Sequence, residues 1–247
     1  SKYMNVITIK LLQDIGVDYC IEYARRLGIT SQINQDLSIG LGSSGVSLLE
    51  MVNAYSVFAN KGYLVQPVFI TKIVDRDGKV LEEAATVRER VLDKSTAYIM
   101  TNLLEGVVQN GTGRRVKALK RPVAGKTGTS NDLYDAWFIG YTPRFITGVW
   151  VGLDEEASLG RAEQGARTAS PIWLGFMKNI LKDRPVKVFK VPEGVVFAKI
   201  DAETGLLPIP ESNDTIFECF KEGTVPTEYS KRPDRVTEAS DFYKLDM

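Results

Sequence analysis

The chain has 247 residues, 44% of them apolar and 25% charged, which provides for one sizeable core or two smaller ones and excludes a disordered, collagenous or disulfide-scaffold protein. Its 31 basic residues balance 31 acidic ones, so the basic footprint of a nucleic-acid binder is missing. Histidine is absent, which removes Ser-His-Asp and Cys-His catalysis and histidine-ligated metals, and leaves proton transfer to Lys, Asp, Glu, Tyr or Cys.

The first predicted helix runs from about 18 to 27, with Asp18 as its cap and Gly28 as its stop. It contains Cys20, which shares no metal-ligand spacing with the distant Cys219, so both read as free thiols and no metal or other cofactor is expected. Gly42-Ser43-Ser44-Gly45 reads as a turn, since no base is spaced for a nucleophilic serine there. A second helix follows it, with Ser47 and Glu50 forming a capping box ahead of Leu48, Met51, Val52, Tyr55 and Phe58, and Gly62 ending it. Val68 to Val74 and Val80-Leu81 predict a hairpin turning at Asp77-Gly78. A third helix starts at Asp93, places Ala97, Met100, Leu104, Val107 and Val108 at helical spacing, and breaks at Asn110-Gly111-Thr112-Gly113. That loop follows a helix C-terminus, the wrong end of the dipole for an anion, and is expected to stop the helix near a cleft rim, with substrate contact as the alternative.

Strands are predicted at 122–129, 136–141 and 146–153, with turns at Asn131-Asp132 and Thr142-Pro143-Arg144 short enough for antiparallel neighbours. Trp137 and Phe138 alternate on one strand, so at least one faces a core; Asp135 is expected to accept a turn N–H, and Asp154-Glu155-Glu156 to form a solvated loop. A fourth helix opens at Ser170-Pro171, with proline at its first position, and is expected to bury Ile172, Trp173, Phe176, Met177 and Ile180. Helices before and after an antiparallel group, without regular alternation, give an α+β class: an antiparallel sheet flanked by helices. Beyond Arg184 prolines punctuate short apolar runs, so the division expected is 1–185 and, as a small β extension with a polar tail, 186–247. No run approaches the roughly 18 apolar residues of a membrane span, and no signal peptide is visible.

Chemistry concentrates in Gly125-Lys126-Thr127-Gly128-Thr129-Ser130. On a strand beside a cleft, the lysine supplies fixed positive charge, two threonine hydroxyls can hold a carboxylate, and Gly128 lets a substrate backbone approach. A K-T-G-[ST] tetramer arises by chance in roughly one chain in a hundred of this length, so the surroundings decide. Lys126 to Asn131 followed by Asp135-Ala136-Trp137-Phe138-Ile139-Gly140-Tyr141-Thr142-Pro143 resembles the penicillin-binding transpeptidases, particularly the bifunctional class A high-molecular-weight enzymes. Leu41 to Val46, Leu49 to Met51, Phe58 to Gly62, Asn110 to Arg114, Thr168 to Trp173, Lys199 to Asp201 and Thr204-Gly205 resemble the same class.

The resemblance implies a D,D-transpeptidase that cross-links peptidoglycan stem peptides ending in D-Ala-D-Ala through a serine ester, and is acylated by β-lactams. It makes Lys126 a catalytic charge, Thr127, Gly128 and Thr129 the substrate wall with the two hydroxyls on its carboxylate, and the Thr129 backbone N–H an oxyanion donor. It also implies a periplasmic protein held at the inner membrane by an N-terminal segment, with a glycosyltransferase domain ahead of this region and other wall-synthesis proteins as partners. Asn5 stands where the family's second-motif asparagine is expected, with Tyr3 in place of the serine; a solvated surface asparagine is the alternative. No serine has a lysine three residues on, so the S-x-x-K nucleophile and base are missing. Either this is the C-terminal part of a larger transpeptidase, inactive alone, or it is a pseudoenzyme that binds wall peptides without catalysis.

Overall fold

In the computed structural model, which describes residues 2–130, 133–155, 157–160 and 164–231, the elements in chain order are α1 (Lys2–Ile15), α2 (Val17–Arg26), a 3-10 helix (Leu37–Leu41), α3 (Leu48–Ala59), β1 (Tyr63–Val65), β2 (Lys72–Val74), β3 (Val80–Glu83), β4 (Arg88–Arg90), α4 (Lys94–Gln109), a second 3-10 helix (Arg114–Leu119), β5 (Ala124–Thr129), β6 (Ala136–Tyr141), β7 (Ile146–Val151), α5 (Ala169–Ile180), β8 (Val195–Asp201) and β9 (Thr215–Lys221). Two compact units result, residues 1–192 and 193–247. Phe189 belongs to the first, where its ring meets Tyr141 edge-on at 5.7 Å.

The first unit is built on the antiparallel sheet β5-β6-β7, with β5 at one edge. Register pairs Lys126 with Ile139 and Thr127 with Phe138, and paired residues share a face. Phe138 lies on the α5 side: Trp173 and Met177 of α5 are fully buried with it, and the Phe138 and Trp173 rings cross at 5.2 Å. Gly140 makes room for that indole, since a Cβ there would stand 3.0 Å from it, and Trp173 Nε1 donates to the carbonyls of Gly140 and Thr147. Cutting Trp173 to alanine would cost about 3–5 kcal/mol on the usual scale for buried aromatics. The opposite face carries α3 and α4. Val52 and Leu48 press on Gly148, and the hydroxyls of Tyr141 and Thr101 lie 3.0 Å apart, with Thr101 donating to the Ala97 carbonyl and therefore accepting from the tyrosine. This is the α+β arrangement of helices on both faces of an antiparallel sheet.

Local signals placed most elements correctly. Ser47 accepts from the Glu50 N–H while Glu50 returns the bond to the Ser47 N–H, closing the capping box, and Asp93 accepts from the Thr96 N–H. Three boundaries differ. The cap of α2 is Gly16, and Asp18 sits inside the first turn, where its charge suits the helix dipole. α5 begins at Ala169, so Pro171 is its third residue, still within the turn whose N–H groups have no helical acceptor; Ile172 and Phe176, expected in the core, are exposed, one position round the helix from the buried Trp173–Met177 stripe. Val68 to Ile70 do not join the hairpin, which spans only β2 and β3; Asp75 accepts from the N–H groups of Asp77 and Lys79 to form its turn. The pairing of β1 with β4 carried no sequence signal, each strand being three residues long.

In the second unit β8 and β9 pair along their length. Asp201 organises the turn after β8, accepting from the N–H groups of Glu203 and Thr204 and from the Ser212 hydroxyl. Neither cysteine forms a disulfide; Cys219 is buried and Cys20 half-buried. No described helix is long and apolar enough to cross a membrane. The predicted turn at Asn131-Asp132, Glu156 of the acidic run, and the tail from 232 lie outside the described residues.

Candidate active site

The site is organised by the free edge of β5. The Ser130 N–H donates to the Asp135 carbonyl, so that pair is hydrogen-bonded across the strands. Alternation then makes Lys126 and Gly128 hydrogen-bonded positions and turns the N–H and C=O groups of Thr127 and Thr129 toward the open edge. Lys126 Nζ reaches around that edge to the Thr127 carbonyl at 2.8 Å. Lys126 is exposed as a residue, but the protein mass beside its ammonium lowers its pKa below the ordinary lysine value by desolvation.

Side chains divide by strand parity. Lys126 and Gly128 stand on the α3-α4 face, while Thr127 and Thr129 stand on the α5 face. Each threonine hydroxyl meets a different loop. Thr127 Oγ1 lies 2.6 Å from Thr112 Oγ1, in the loop after α4. Thr129 Oγ1 accepts the Gly165 N–H at 3.1 Å from the loop before α5. The two loops are joined by Arg115, whose guanidinium donates to the Arg167 carbonyl.

Both loops are tightly specified. Val107's carbonyl accepts from the N–H groups of Gly111 and Gly113, and a Cβ on Gly111 would stand 2.9 Å from that oxygen. The 3-10 helix that follows buries Val116 and Leu119 in the α5 core. Gly165 is buried, and a Cβ on it would stand 2.3 and 2.4 Å from the carbonyl oxygens of Trp137 and Gly128. Sequence pattern marked the Gly-Thr-Gly loop as a rim segment but not its contact with Thr127. Nothing in the sequence marked Gly165, and Arg115 carries no signal beyond its place at the end of the Gly111–Arg115 loop, since their partners are remote along the chain.

Other singled-out residues have structural partners. Asp135 accepts from the Trp150 indole at 2.7 Å, and Ser130 Oγ accepts from the N–H groups of Tyr134 and Asp135, fixing the turn into β6. Phe138 is core, while Trp137 is half-buried with its ring 6.3 Å from Trp150. The Ser43 hydroxyl is hydrogen-bonded to the Ser38 hydroxyl, and Ser44 accepts from the Asn34 N–H, so the Gly42–Gly45 segment is a tied turn. Asn5 is exposed on α1, the helix whose Leu12 packs on Gly40. Glu105, half-buried on α4, has its pKa pushed up to about 7 by burial. No described cluster of three or more His, Cys, Asp or Glu side chains could hold a metal.

Residues 4–173 match the model of the penicillin binding protein transpeptidase domain, and 191–235 match that of the penicillin-binding protein 1A C-terminal domain. Penicillin-binding protein 1A of Pseudomonas aeruginosa is 35% identical over 94% of this chain, and the match covers 34% of that protein. Among solved structures, penicillin-binding protein 1A of Haemophilus influenzae superposes with a TM-score of 0.85 at 31% identity, over 92% of this chain and 40% of that one. PonA1 of Mycobacterium tuberculosis, determined in complex with penicillin V, does so with a TM-score of 0.57 at 28% identity, over 68% of this chain and 50% of its own.

Proposed function

Since the chain belongs to the penicillin-binding protein transpeptidase family, we propose that it supplies the carboxylate-binding and oxyanion wall of a D,D-transpeptidase, and that the nucleophilic serine and its lysine come from sequence outside these 247 residues. The observation that carries this is the edge of β5. One strand there presents the Lys126 ammonium, two anchored hydroxyls and the outward N–H of Thr129 within four consecutive residues.

In this reading the substrate is a peptidoglycan stem peptide, whose terminal D-Ala-D-Ala carboxylate sits against Thr127 and Thr129. A β-lactam carboxylate takes the same place in this reading, and PonA1, a relative, has been solved in complex with penicillin V. Serine attack on the penultimate carbonyl places negative charge on its oxygen. The Thr129 N–H donates a hydrogen bond to that oxygen, a contribution of about 3 kcal/mol for one preorganised donor. Gly128 leaves space for the acyl group. Lys126 lowers the cost of negative charge in the cleft, and desolvation strengthens its field. Asn5 is assigned to the second motif, with Tyr3 beside it in place of serine. We assign the full-length protein to the periplasmic face of the inner membrane, with a glycosyltransferase domain and other wall-synthesis proteins as its working context.

The test is a fluorescent penicillin applied to the full-length protein. Wild type forms a covalent adduct, and Lys126→Ala loses acylation about a hundredfold or more while keeping its melting temperature, because Lys126 is exposed and fills no core. An unlabelled wild type rejects the transpeptidase reading in favour of a binding pseudoenzyme. Unchanged labelling of Lys126→Ala rejects the role given to the lysine.

A further inference from the structure

We infer that Thr112 is a positioning residue for the carboxylate-binding hydroxyl of Thr127, an inference that rests on the transpeptidase reading above. A threonine hydroxyl has one proton to donate and can also accept. Thr129 shows how the wall handles this: its oxygen accepts the Gly165 N–H, which leaves its own proton for a ligand. Thr112 does the same for Thr127. The two hydroxyl oxygens lie 2.6 Å apart, a distance at which either can donate; in the inferred arrangement Thr112 is the donor, which occupies a lone pair of Thr127 Oγ1 and turns the Thr127 proton outward. An anion then meets two donors on one strand face, about 7 Å apart at the backbone, the span of one carboxylate flanked by two hydrogen bonds of about 2.7 Å.

Thr112 can do this because its loop has little freedom. Gly111 and Gly113 both bond to the Val107 carbonyl, Val116 and Leu119 anchor the following turn in the core, and Arg115 ties the loop to Arg167. The hydroxyl of Thr112 is therefore delivered from a fixed backbone, and fixing Thr127's rotamer beforehand spares the ligand that ordering cost. The threonine is exposed and contributes nothing to the core, so its side-chain chemistry is free to serve the cleft.

The experiment compares full-length wild type, T112V and T112S by their acylation rate constants with benzylpenicillin and with its methyl ester, which lacks the carboxylate charge. Valine keeps the branched shape without the hydroxyl; serine keeps the hydroxyl. T112V should lower the acid-to-ester rate ratio about tenfold, the worth of one hydrogen bond to a charged group. T112S should retain the wild-type ratio. Equal losses with both compounds, or an unchanged ratio in T112V, overturn the inference, and T112A supplies the same readout should T112V fail to fold. A wild type that forms no adduct with benzylpenicillin overturns the transpeptidase reading itself, an outcome distinct from any change in the ratio.

Discussion

Glu50 and Glu105 are both acidic side chains on helices, yet their surroundings push them in opposite directions. Glu50 accepts from backbone and hydroxyl groups of Thr30, Ser31 and Ser47, and these bonds hold its carboxyl far below the usual range. Glu105 faces the Tyr55 and Tyr141 side of α4, where burial raises it to about 7. The signs follow by linkage. Glu50's depressed folded pKa means that its stabilisation is present above about 4.5 and is lost as pH falls. Glu105 binds its proton more tightly when folded, so its contribution is complete below about 4.5 and is lost as pH rises through 7. Melting temperatures of wild type and Glu105→Gln should therefore separate between pH 4.5 and 7, with the glutamine variant gaining toward neutral pH. Parallel curves would show that the carboxylate is solvated. Glu50→Gln should melt lower above pH 4.5 and lose that disadvantage in acid, when the wild-type carboxyl takes up its proton.

Elements were legible in the sequence where the signal was local. The capping box at Ser47, the Asp93 cap, and the short apolar run from Ala136 to Tyr141 each state their structure within a few residues. The site was legible only in its strand. Lys126, Thr127 and Thr129 declare themselves by type and spacing, whereas the loops that anchor the two hydroxyls come from 112 and 165 and meet them only through tertiary packing. Gly165 is the clearest case. A lone glycine in a loop carries no pattern, yet here it stands where a Cβ would enter the contact distance of two carbonyl oxygens. Gly165→Ala must lift the loop away from Trp137 and Gly128 and take its N–H from Thr129. Thermal melts should show a loss corresponding to about 1–3 kcal/mol, the range for overpacking a filled site. The acid-to-ester preference in penicillin acylation should fall with it. A variant with wild-type melting and wild-type preference would mean that the loop is not held by this contact.

Across the whole molecule, the absence of histidine and the absence of S-x-x-K bear on the same chemistry. A serine acyl-transfer site run by lysine needs no imidazole, so the first absence fits the family, while under the proposed function the second puts the nucleophile outside these 247 residues. The serines nearest in appearance do not substitute: Ser43 and Ser44 are engaged within their turn, Ser130 is committed to the N–H groups of Tyr134 and Asp135, and Ser170 donates to the Ala166 carbonyl. None has a lysine at the spacing that would take its proton. The 247 residues alone, incubated with benzylpenicillin and read by intact-protein mass spectrometry, should therefore show no covalent gain, while the full-length protein gains one penicillin. An adduct on the short chain, mapped to any serine within it, would place the nucleophile inside these residues and overturn the division between wall and nucleophile.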